Sequence, residues 1–222
     1  MMISKIINGK KDIGAFPFQN ILCIREDEIG DLCYSLPVFK SLRKQFPGAK
    51  ITLLCKSFVI PLIKNDPNIQ QVTSNWKELS NDYDLLVDLR GSWKSNWYAL
   101  THRPKVRLDR GTVRYRNKMK GSHPHEWQTN LQVIEPVLDD ENKEMSNIYF
   151  GDAESRKVKR FLAENHIHSY AVLHAGARRV LRKWPLRNFA ALAMFLKEKK
   201  NKWTSFSAAT KMIVRILTLY KE

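Results

Sequence analysis

The sequence predicts an α/β protein of GT-B-like type, in which a Rossmann-like domain with a parallel sheet is followed by an incomplete second one. Short apolar runs of strand length alternate with helix-length segments from residue 21 onward, as in βαβ units. The same strand, glycine turn and helix pattern begins again near residue 170. With 222 residues, 43% of them hydrophobic, the chain can bury a substantial core.

The first unit begins with a buried-strand pattern at residues 21–24 and a turn at Gly30. Apolar residues then recur at helical spacing from Leu32 to Phe46, where Pro47 and Gly48 end the helix. Pro37 lies inside this pattern, and an interior proline costs a helix about 3 kcal/mol. The regular helix therefore either begins near Pro37 or is kinked there.

Four further strands and two helices are predicted in the first domain. The strands are expected at residues 50–55, 69–73, 83–89 and 105–109, and the helices at 58–64 and 125–138. Residues 110–122 are rich in Arg and Lys and have no clear periodicity, so they are interpreted as a basic loop. Residues 139–144 are charged and are the best candidate for a linker.

The domain boundaries follow from these patterns. Residues 1–19 form a flexible lead-in, 20–150 the first domain, 151–200 the start of the second, and 201–222 an atypical tail. The second domain begins with a helix at 152–164, a strand at 170–174 and a helix opened by Pro185, where proline is tolerated. Because the tail lacks this rhythm, the second domain is expected to be cut short.

The net charge of +16, from 38 Lys and Arg against 22 Asp and Glu, favours polyanionic partners. Phosphorylated substrates, anionic lipid surfaces and nucleic acid all meet that description, and a solvated basic surface is an equal alternative. The basic segment at 110–122 lacks a recognisable nucleic-acid motif, so no nucleic acid is expected.

The three cysteines indicate a reducing compartment. Cys23, Cys33 and Cys55 each lie in an apolar segment without a C-x-x-C pair, which is typical of buried reduced thiols. No apolar run approaches the roughly 20 residues of a membrane span, and residues 1–20 do not resemble a secretion signal. The expected location is cytoplasmic, with peripheral contact to the inner membrane through charge.

Asp31 is the first candidate catalytic residue. It follows Gly30 at the carboxyl end of the first strand, where α/β proteins bind ligands. Its carboxylate could act as a general base toward a hydroxyl or could cap the helix that follows, and spacing alone favours the cap. No G-x-G-x-x-G sequence is present, so a dinucleotide fingerprint is not supported.

Two further clusters are candidates for binding, one for an anion and one for a metal ion. Basic residues precede the helix at Pro185, and a helix amino terminus with cations around it attracts phosphate, although a solvated basic loop explains them equally well. His123, His125 and Glu126 lack an evident third metal ligand, so no metal is expected and a helix start that faces the cleft is favoured.

Four pieces of the chain together resemble glycosyltransferase family 9, the ADP-heptose:lipopolysaccharide heptosyltransferases. Residues 21–48 carry I-x-E-D-E-I-G-D, S-L-P-V-F-K-S-L-R and F-P-G-A, which are similar to the amino-terminal signature of the family. Residues 84–91 resemble its strand ending in a glycine loop, and His125 with Glu126 resembles its H-E motif. Residues 172–192 look like the start of its donor domain.

The resemblance implies inverting transfer of a sugar from an ADP-heptose-like nucleotide-sugar to a phosphorylated glycolipid of the lipopolysaccharide core, without metal or other cofactor. Asp31 would be the catalytic base and Lys183 would contact the donor phosphates. The implied acceptor-side residues are Gly30, Arg90, Gly91, His125 and Glu126, and the implied donor-side residues are Gly176, Arg178, Arg182 and Lys183.

One departure bears on activity. Family members carry a D-[ST]-G-x-x-H motif later in the second domain, and residues 203–222 contain no match to it. The expected function is therefore that of a heptosyltransferase-like protein of lipopolysaccharide core assembly, truncated in its donor domain, for which both an active and an inactive chain stay open. The alternative is a non-catalytic remnant that binds the acceptor or an anion. An unfinished second sheet would also expose apolar surface.

Overall fold

The computed structural model describes residues 16–139, 143, 145–168, 170–177, 180–199 and 204–207. The chain divides into two compact units, Met1–Gly151 and Asp152–Glu222. The first unit contains five strands, β1 Asn20–Arg25, β2 Lys50–Cys55, β3 Gln71–Thr73, β4 Leu85–Asp88 and β5 Val106–Asp109. Its helices are α1 Ile29–Cys33, α2 Leu36–Gln45, α3 Ile60–Ile63, α4 Trp93–His102, α5 Arg110–Met119 and α6 Glu126–Ile134.

The five strands form one parallel sheet in the order β3-β2-β1-β4-β5. Strand β1 lies in the centre, with Cys23 opposite Leu53 of β2 on one side and opposite Val87 of β4 on the other. The chain adds β2 and β3 on one side of β1 and then crosses over to add β4 and β5 on the other side. The gap between the ends of β1 and β4 is therefore the topological switch point of an open α/β sheet. The predicted α/β class with a Rossmann-like parallel sheet is confirmed.

Both faces of the sheet are covered, as the continuous apolar runs predict. On one face, Cys23 belongs to a buried cluster with Phe39 of α2 and Ile134 of α6. On the other, Leu22 and its neighbours pack with Tyr98 of α4. Burial on both faces fixes the register of each strand, because a slip by one residue would exchange the two sets.

Pro37 lies at the start of a second helix and does not kink a longer one. Helix α1 ends at Cys33, and α2 begins at Leu36 with Pro37 in its first turn. The missing N–H of proline removes no intrahelical bond at that position, so the residue is tolerated. The first of the two alternatives, a regular helix that begins near Pro37, is confirmed.

The prediction of a basic loop at 110–122 is wrong, because Arg110–Met119 forms helix α5. Asp109 caps this helix, its carboxylate accepting a bond from the N–H of Thr112 at 2.8 Å. Val113 is buried in the core, and Asn117 donates a bond to Gln132 of α6 at 2.8 Å. Arg and Lys are good helix formers, but one inward apolar residue gave no detectable period.

The second unit contains helix α7 Asp152–Glu164, strand β6 Tyr170–Leu173, helix α8 Leu186–Lys199 and strand β7 Thr204–Ser207. Strands β6 and β7 pair in parallel. Strand β7 corrects the expectation that the α/β pattern stops near residue 200. The apolar helical face predicted from residues 213, 216, 217 and 220 lies outside the described residues.

The described part of the second unit buries far fewer of its apolar side chains than the first unit does. Ile167 is the buried hydrophobic residue among those described there. Large side chains that remain exposed include Val158, Phe161, Tyr170, Val172, Leu181, Trp184, Leu186, Met194 and Phe195. None of the described helices has the length and apolar composition needed to cross a membrane.

Asp84 should make the stability of the first unit depend on pH. Its carboxylate accepts bonds from the N–H groups of Gln19 and Asn20 at 3.0 and 3.1 Å and pairs with Lys105 at 2.6 Å. Burial alone raises the pKa of Asp84, but Lys105 and the two N–H groups outweigh burial, so the pKa is lowered on folding. The stabilisation is therefore present above the unfolded pKa of about 4 and is lost as the pH falls through the folded pKa.

We expect Asp84→Asn to lower the free energy of unfolding at neutral pH by about 1–3 kcal/mol, with the difference from the unsubstituted chain shrinking below about pH 4. Urea unfolding at several pH values measures this. The exposed Asp82→Asn serves as the control and should have little effect at any pH. A deficit in Asp84→Asn that stays constant down to pH 3 would contradict the assignment.

Candidate active site

The candidate site lies at the carboxyl edge of the first sheet, at the switch point between β1 and β4. Strands β1, β4 and β5 end there at Arg25, Asp88 and Asp109. The segments that follow add charged side chains at the same edge, because parallel strands deliver their carboxyl ends together. The cluster is built from three elements that are far apart in sequence.

Arg25 organises the edge from inside the protein. Its side chain is 0% exposed, and its guanidinium donates to the carbonyl oxygens of Asp31, at 3.2 Å, and of Leu89. It also pairs with the carboxylates of Asp27, at 3.2 Å, and Asp31, at 3.5 Å. Burial lowers the pKa of Arg25 while the two carboxylates oppose that effect. The guanidinium remains charged and ties β1, β4 and α1 together.

Asp31 is the exposed member of this arrangement. It lies in the first turn of α1 and its side chain is 41% exposed, so one carboxylate oxygen faces Arg25 while the group remains accessible from solvent. Glu28 is the N-cap residue of α1 and Ser35 that of α2, and neither helix has a side-chain cap bond. The capping interpretation of Asp31 is therefore wrong, and its carboxylate is free to accept a proton from an approaching hydroxyl.

The β4 loop presents Arg90 beside this carboxylate pair. The buried carboxylate of Asp88 accepts bonds from the N–H groups of Arg90 and Gly91 at 3.1 and 2.7 Å, and from the hydroxyl of Ser95 at 2.6 Å. Arg90 is half-exposed and pairs with Asp27. Asp27 thus bridges Arg25 and Arg90, which links the β1 and β4 segments at the site.

The third contributor is the pair of helices α5 and α6. Arg110, the first residue of α5, pairs with Glu126, the first residue of α6. Burial lowers the pKa of Arg110 to about 10, with Arg25 and Arg114 acting in the same direction and the nearby carboxylates opposing them. Arg110 therefore keeps its charge at neutral pH and lies within electrostatic reach of Asp31.

His125 has a structural role in this arrangement. It is the N-cap residue of α6, accepting a bond from the N–H of Trp127, while its own N–H donates to Gln128 at 2.8 Å. Its ring meets that of Tyr34, at the end of α1, edge to face at 4.9 Å. Within the described part of the chain, no three His, Cys, Asp or Glu side chains form a group that could hold a metal ion.

The donor-side residues lie in the second unit and are only partly described. Arg182 ends a short 3-10 helix and, like Lys183, is exposed just before α8. The carbonyl of Pro185 accepts the first bonds of α8, from Asn188 at 2.9 Å and from Phe189 at 3.4 Å. Gly176 is half-buried in the loop after β6, and Arg178 lies outside the described residues.

The structure thus brings Asp31, Arg90 and Glu126 to one edge through Arg25, Asp27 and Arg110. The last three were not predicted from the sequence to belong to the site. The available signal was a charged residue directly after each apolar strand run, since Arg25 ends β1 and Arg110 follows β5. Which of these charges is buried and which is exposed depends on tertiary packing and leaves no trace in the local pattern.

The two candidate glycines at the edge differ in backbone conformation, which gives a matched test. Gly91 has a φ of +75°, whereas Gly30 lies within helix α1, and a Cβ on either would meet no atom within 4 Å. We expect Gly91→Ala to destabilise the chain by about 1–2 kcal/mol, because side chains disfavour this region. Gly30→Ala should be neutral or stabilise by about 0.5–1 kcal/mol. Urea denaturation measures the free energy of unfolding of both variants. Equal effects would contradict the positive φ assigned to Gly91 and the helical conformation assigned to Gly30.

Comparison with known proteins identifies the family. The family model for glycosyltransferase family 9 (heptosyltransferase) matches residues 72–216, which is more than half of the chain. Lipopolysaccharide heptosyltransferase 3 of Escherichia coli is 25% identical, with an alignment that covers 73% of this chain and 56% of that protein. The chain therefore spans about half the length of this curated relative.

Solved structures share the fold. A glycosyl transferase of family 9 from Veillonella parvula matches with a TM-score of 0.73 at 13% identity, covering 92% of this chain and 67% of that one. The E. coli heptosyltransferase WaaC with ADP matches with a TM-score of 0.60 at 17% identity, covering 91% of this chain and 71% of that one. The match to the family model runs from strand β3 to beyond β7. The chain therefore belongs to glycosyltransferase family 9, the heptosyltransferase family.

Proposed function

We propose that this chain acts in the transfer of a sugar from a nucleotide-sugar to a hydroxyl of a lipopolysaccharide core acceptor, with inversion at the anomeric carbon. The observation that carries the proposal is the accessible Asp31 carboxylate, held against the buried Arg25 at the switch point of the sheet. A donor resembling ADP-heptose is supported by the relative WaaC, which was solved with ADP, and the acceptor class by the name of heptosyltransferase 3.

The proposed step is a single displacement. The acceptor hydroxyl gives its proton to the Asp31 carboxylate as its oxygen forms a bond to the anomeric carbon of the donor. The bond from that carbon to the diphosphate breaks, and the nucleotide diphosphate leaves with the electron pair. Fixed cationic groups stabilise the charge that develops on the leaving group.

On the acceptor side, Arg90 supplies the half-exposed guanidinium suited to a phosphate on the glycolipid. Gly91 shapes the loop that carries it, and the open space beside Gly30 allows the acceptor to approach the backbone next to Asp31. Glu126 acts through Arg110 and His125 through the start of α6, so both position the edge.

On the donor side, we propose that the diphosphate binds at the amino terminus of α8. Helix α8 has 14 residues, and the free N–H groups and dipole at its start favour an anion. Lys183 and Arg182 precede this terminus and are exposed, and Gly176 and Arg178 lie a few residues before them in the sequence. Lys183 is assigned to the leaving diphosphate.

The alternative is binding without transfer. The charged edge of the first unit is fully built from its own residues, so it can hold an acceptor or another anion whether or not transfer follows. This alternative predicts saturable acceptor binding and no turnover.

Titration with ADP tests the donor site alone. Because charge-assisted hydrogen bonds contribute about 1.5–3 kcal/mol, we expect Lys183→Ala to weaken ADP binding by about ten-fold or more. Lys159→Ala, an exposed lysine of α7, is the matched control and should bind ADP as the unsubstituted chain does. Equal affinity in both variants would remove Lys183 from the donor site.

Sugar transfer tests the base. With ADP-heptose and a phosphorylated core acceptor, we expect Asp31→Asn to reduce turnover by about 100-fold or more while ADP binding is unchanged. Glu28→Gln, a carboxylate that pairs with Lys56, is the control and should retain turnover. Equal turnover in Asp31→Asn and the unsubstituted chain would exclude Asp31 as base, and no turnover in any of them would favour binding without transfer.

A further inference from the structure

Helix α5 carries an exposed apolar ridge on its outer face. Tyr115 is 66% exposed and Met119 is 70% exposed, and they lie four residues apart on one side of the helix. The opposite side holds Val113, which is buried, and Arg110, which pairs with Glu126. The helix is therefore anchored on its inner side and presents the ridge of Tyr115 and Met119 to solvent.

Exposed cations flank this ridge on both sides. At 100° per residue, Lys118 falls on one side of the ridge and Arg116 on the other, with Lys120 following the helix. All three are exposed, and none forms an ion pair with a residue that the structure describes. Helix α5 itself contains no Asp or Glu. The outer face thus combines apolar side chains with unopposed positive charge.

Two other exposed faces lack this combination. Helix α4 exposes Trp93 and Trp97, but Lys94 is the one Lys or Arg within it. Helix α7 exposes basic residues beside the apolar Val158 and Phe161, but it also contains Asp152, Glu154 and Glu164, which oppose the positive charge. Among the described helices, α5 is the one that combines exposed apolar side chains with several exposed Lys or Arg residues and contains no Asp or Glu.

We propose that the outer face of α5 docks on an anionic lipid bilayer, with Tyr115 and Met119 entering the interface and Arg116, Lys118 and Lys120 resting among acidic headgroups. An exposed apolar strip flanked by Lys and Arg is the pattern by which a surface helix binds anionic membranes. Nucleic acid would account for the cations but not for an exposed methionine beside them.

This inference rests on the proposed function for its purpose. Arg110, the first residue of α5, belongs to the charged edge around Asp31, and a ten-residue helix is about 15 Å long. The docking face therefore lies within about 15 Å of Arg110 along the helix. A glycolipid acceptor held in the bilayer would then be presented to the edge that carries Asp31.

Co-sedimentation of the full chain with phosphatidylcholine vesicles, with and without phosphatidylglycerol, tests the docking face. We expect binding to the anionic vesicles that weakens at high salt. Because each Lys or Arg near an anionic surface contributes about a five-fold factor, the triple change Arg116→Gln, Lys118→Gln and Lys120→Gln should weaken binding by about a hundred-fold. The double change Tyr115→Ser and Met119→Ser should weaken vesicle binding at low salt and at high salt alike.

The matched control is Arg156→Gln, Lys157→Gln and Lys159→Gln in α7, which removes the same residue types and the same charge. It should bind vesicles much more tightly than the α5 triple variant, with circular dichroism confirming that both are folded. Equal losses in the two triple variants, or a loss on Trp93→Ser with Trp97→Ser but none on the α5 changes, would overturn the proposal. So would an α5 triple variant that loses binding to single-stranded RNA but keeps vesicle binding.

The vesicle assay contains no donor sugar, so its outcome is independent of catalysis. A chain that binds vesicles through α5 but neither binds ADP nor transfers sugar would overturn the proposed function and leave the docking face intact. A chain that transfers sugar to a water-soluble core acceptor but does not bind anionic vesicles would overturn the docking face and leave the proposed function intact.

Discussion

The candidate functional edge of this protein depends on the pairing of the buried Arg25 guanidinium. A charge removed from water costs several kcal/mol unless it is paired and hydrogen-bonded. Here the partners come from the loop after β1, from the start of α1 and from the end of β4, through Asp27, Asp31 and Leu89. The charge is compensated only when all three segments are in place, so the same bonds that stabilise the fold also fix the position of the Asp31 carboxylate.

The charges around this carboxylate are mostly paired, which distinguishes the site from the strongly basic chain as a whole. Three guanidinium groups, those of Arg25, Arg90 and Arg110, pair with three carboxylates at the edge, and Arg114 adds a further cation nearby. The net charge of +16 is therefore carried mostly elsewhere, for example on the outer face of α5. A cluster of paired charges does not attract polyanions indiscriminately, while a basic outer surface does.

The sequence was sufficient for elements whose signal is local. Strands β1, β2 and β4 are buried on both faces and appear as uninterrupted apolar runs, and the Pro37 anomaly correctly marked a helix start. Helix α5 was missed because its order comes from Asp109 as a cap and from the Arg110 pair with Glu126, sixteen residues away. The burial of Arg25 was missed for the same reason, since nothing in the local pattern distinguishes a buried arginine at a strand end from an exposed one.

The two units differ in how completely the faces of their parallel sheets are covered. Parallel strands are stable when both faces are covered, and β1 has this cover from α2 and α6 on one face and α4 on the other. In β6, by contrast, Tyr170 and Val172 are exposed, and the described part of that sheet has two strands. A two-stranded sheet buries too little apolar surface for independent stability. The first unit can therefore hold its charged edge on its own, while the anion site that we propose at α8 depends on a less buried scaffold and should be the first part of the molecule to lose its structure.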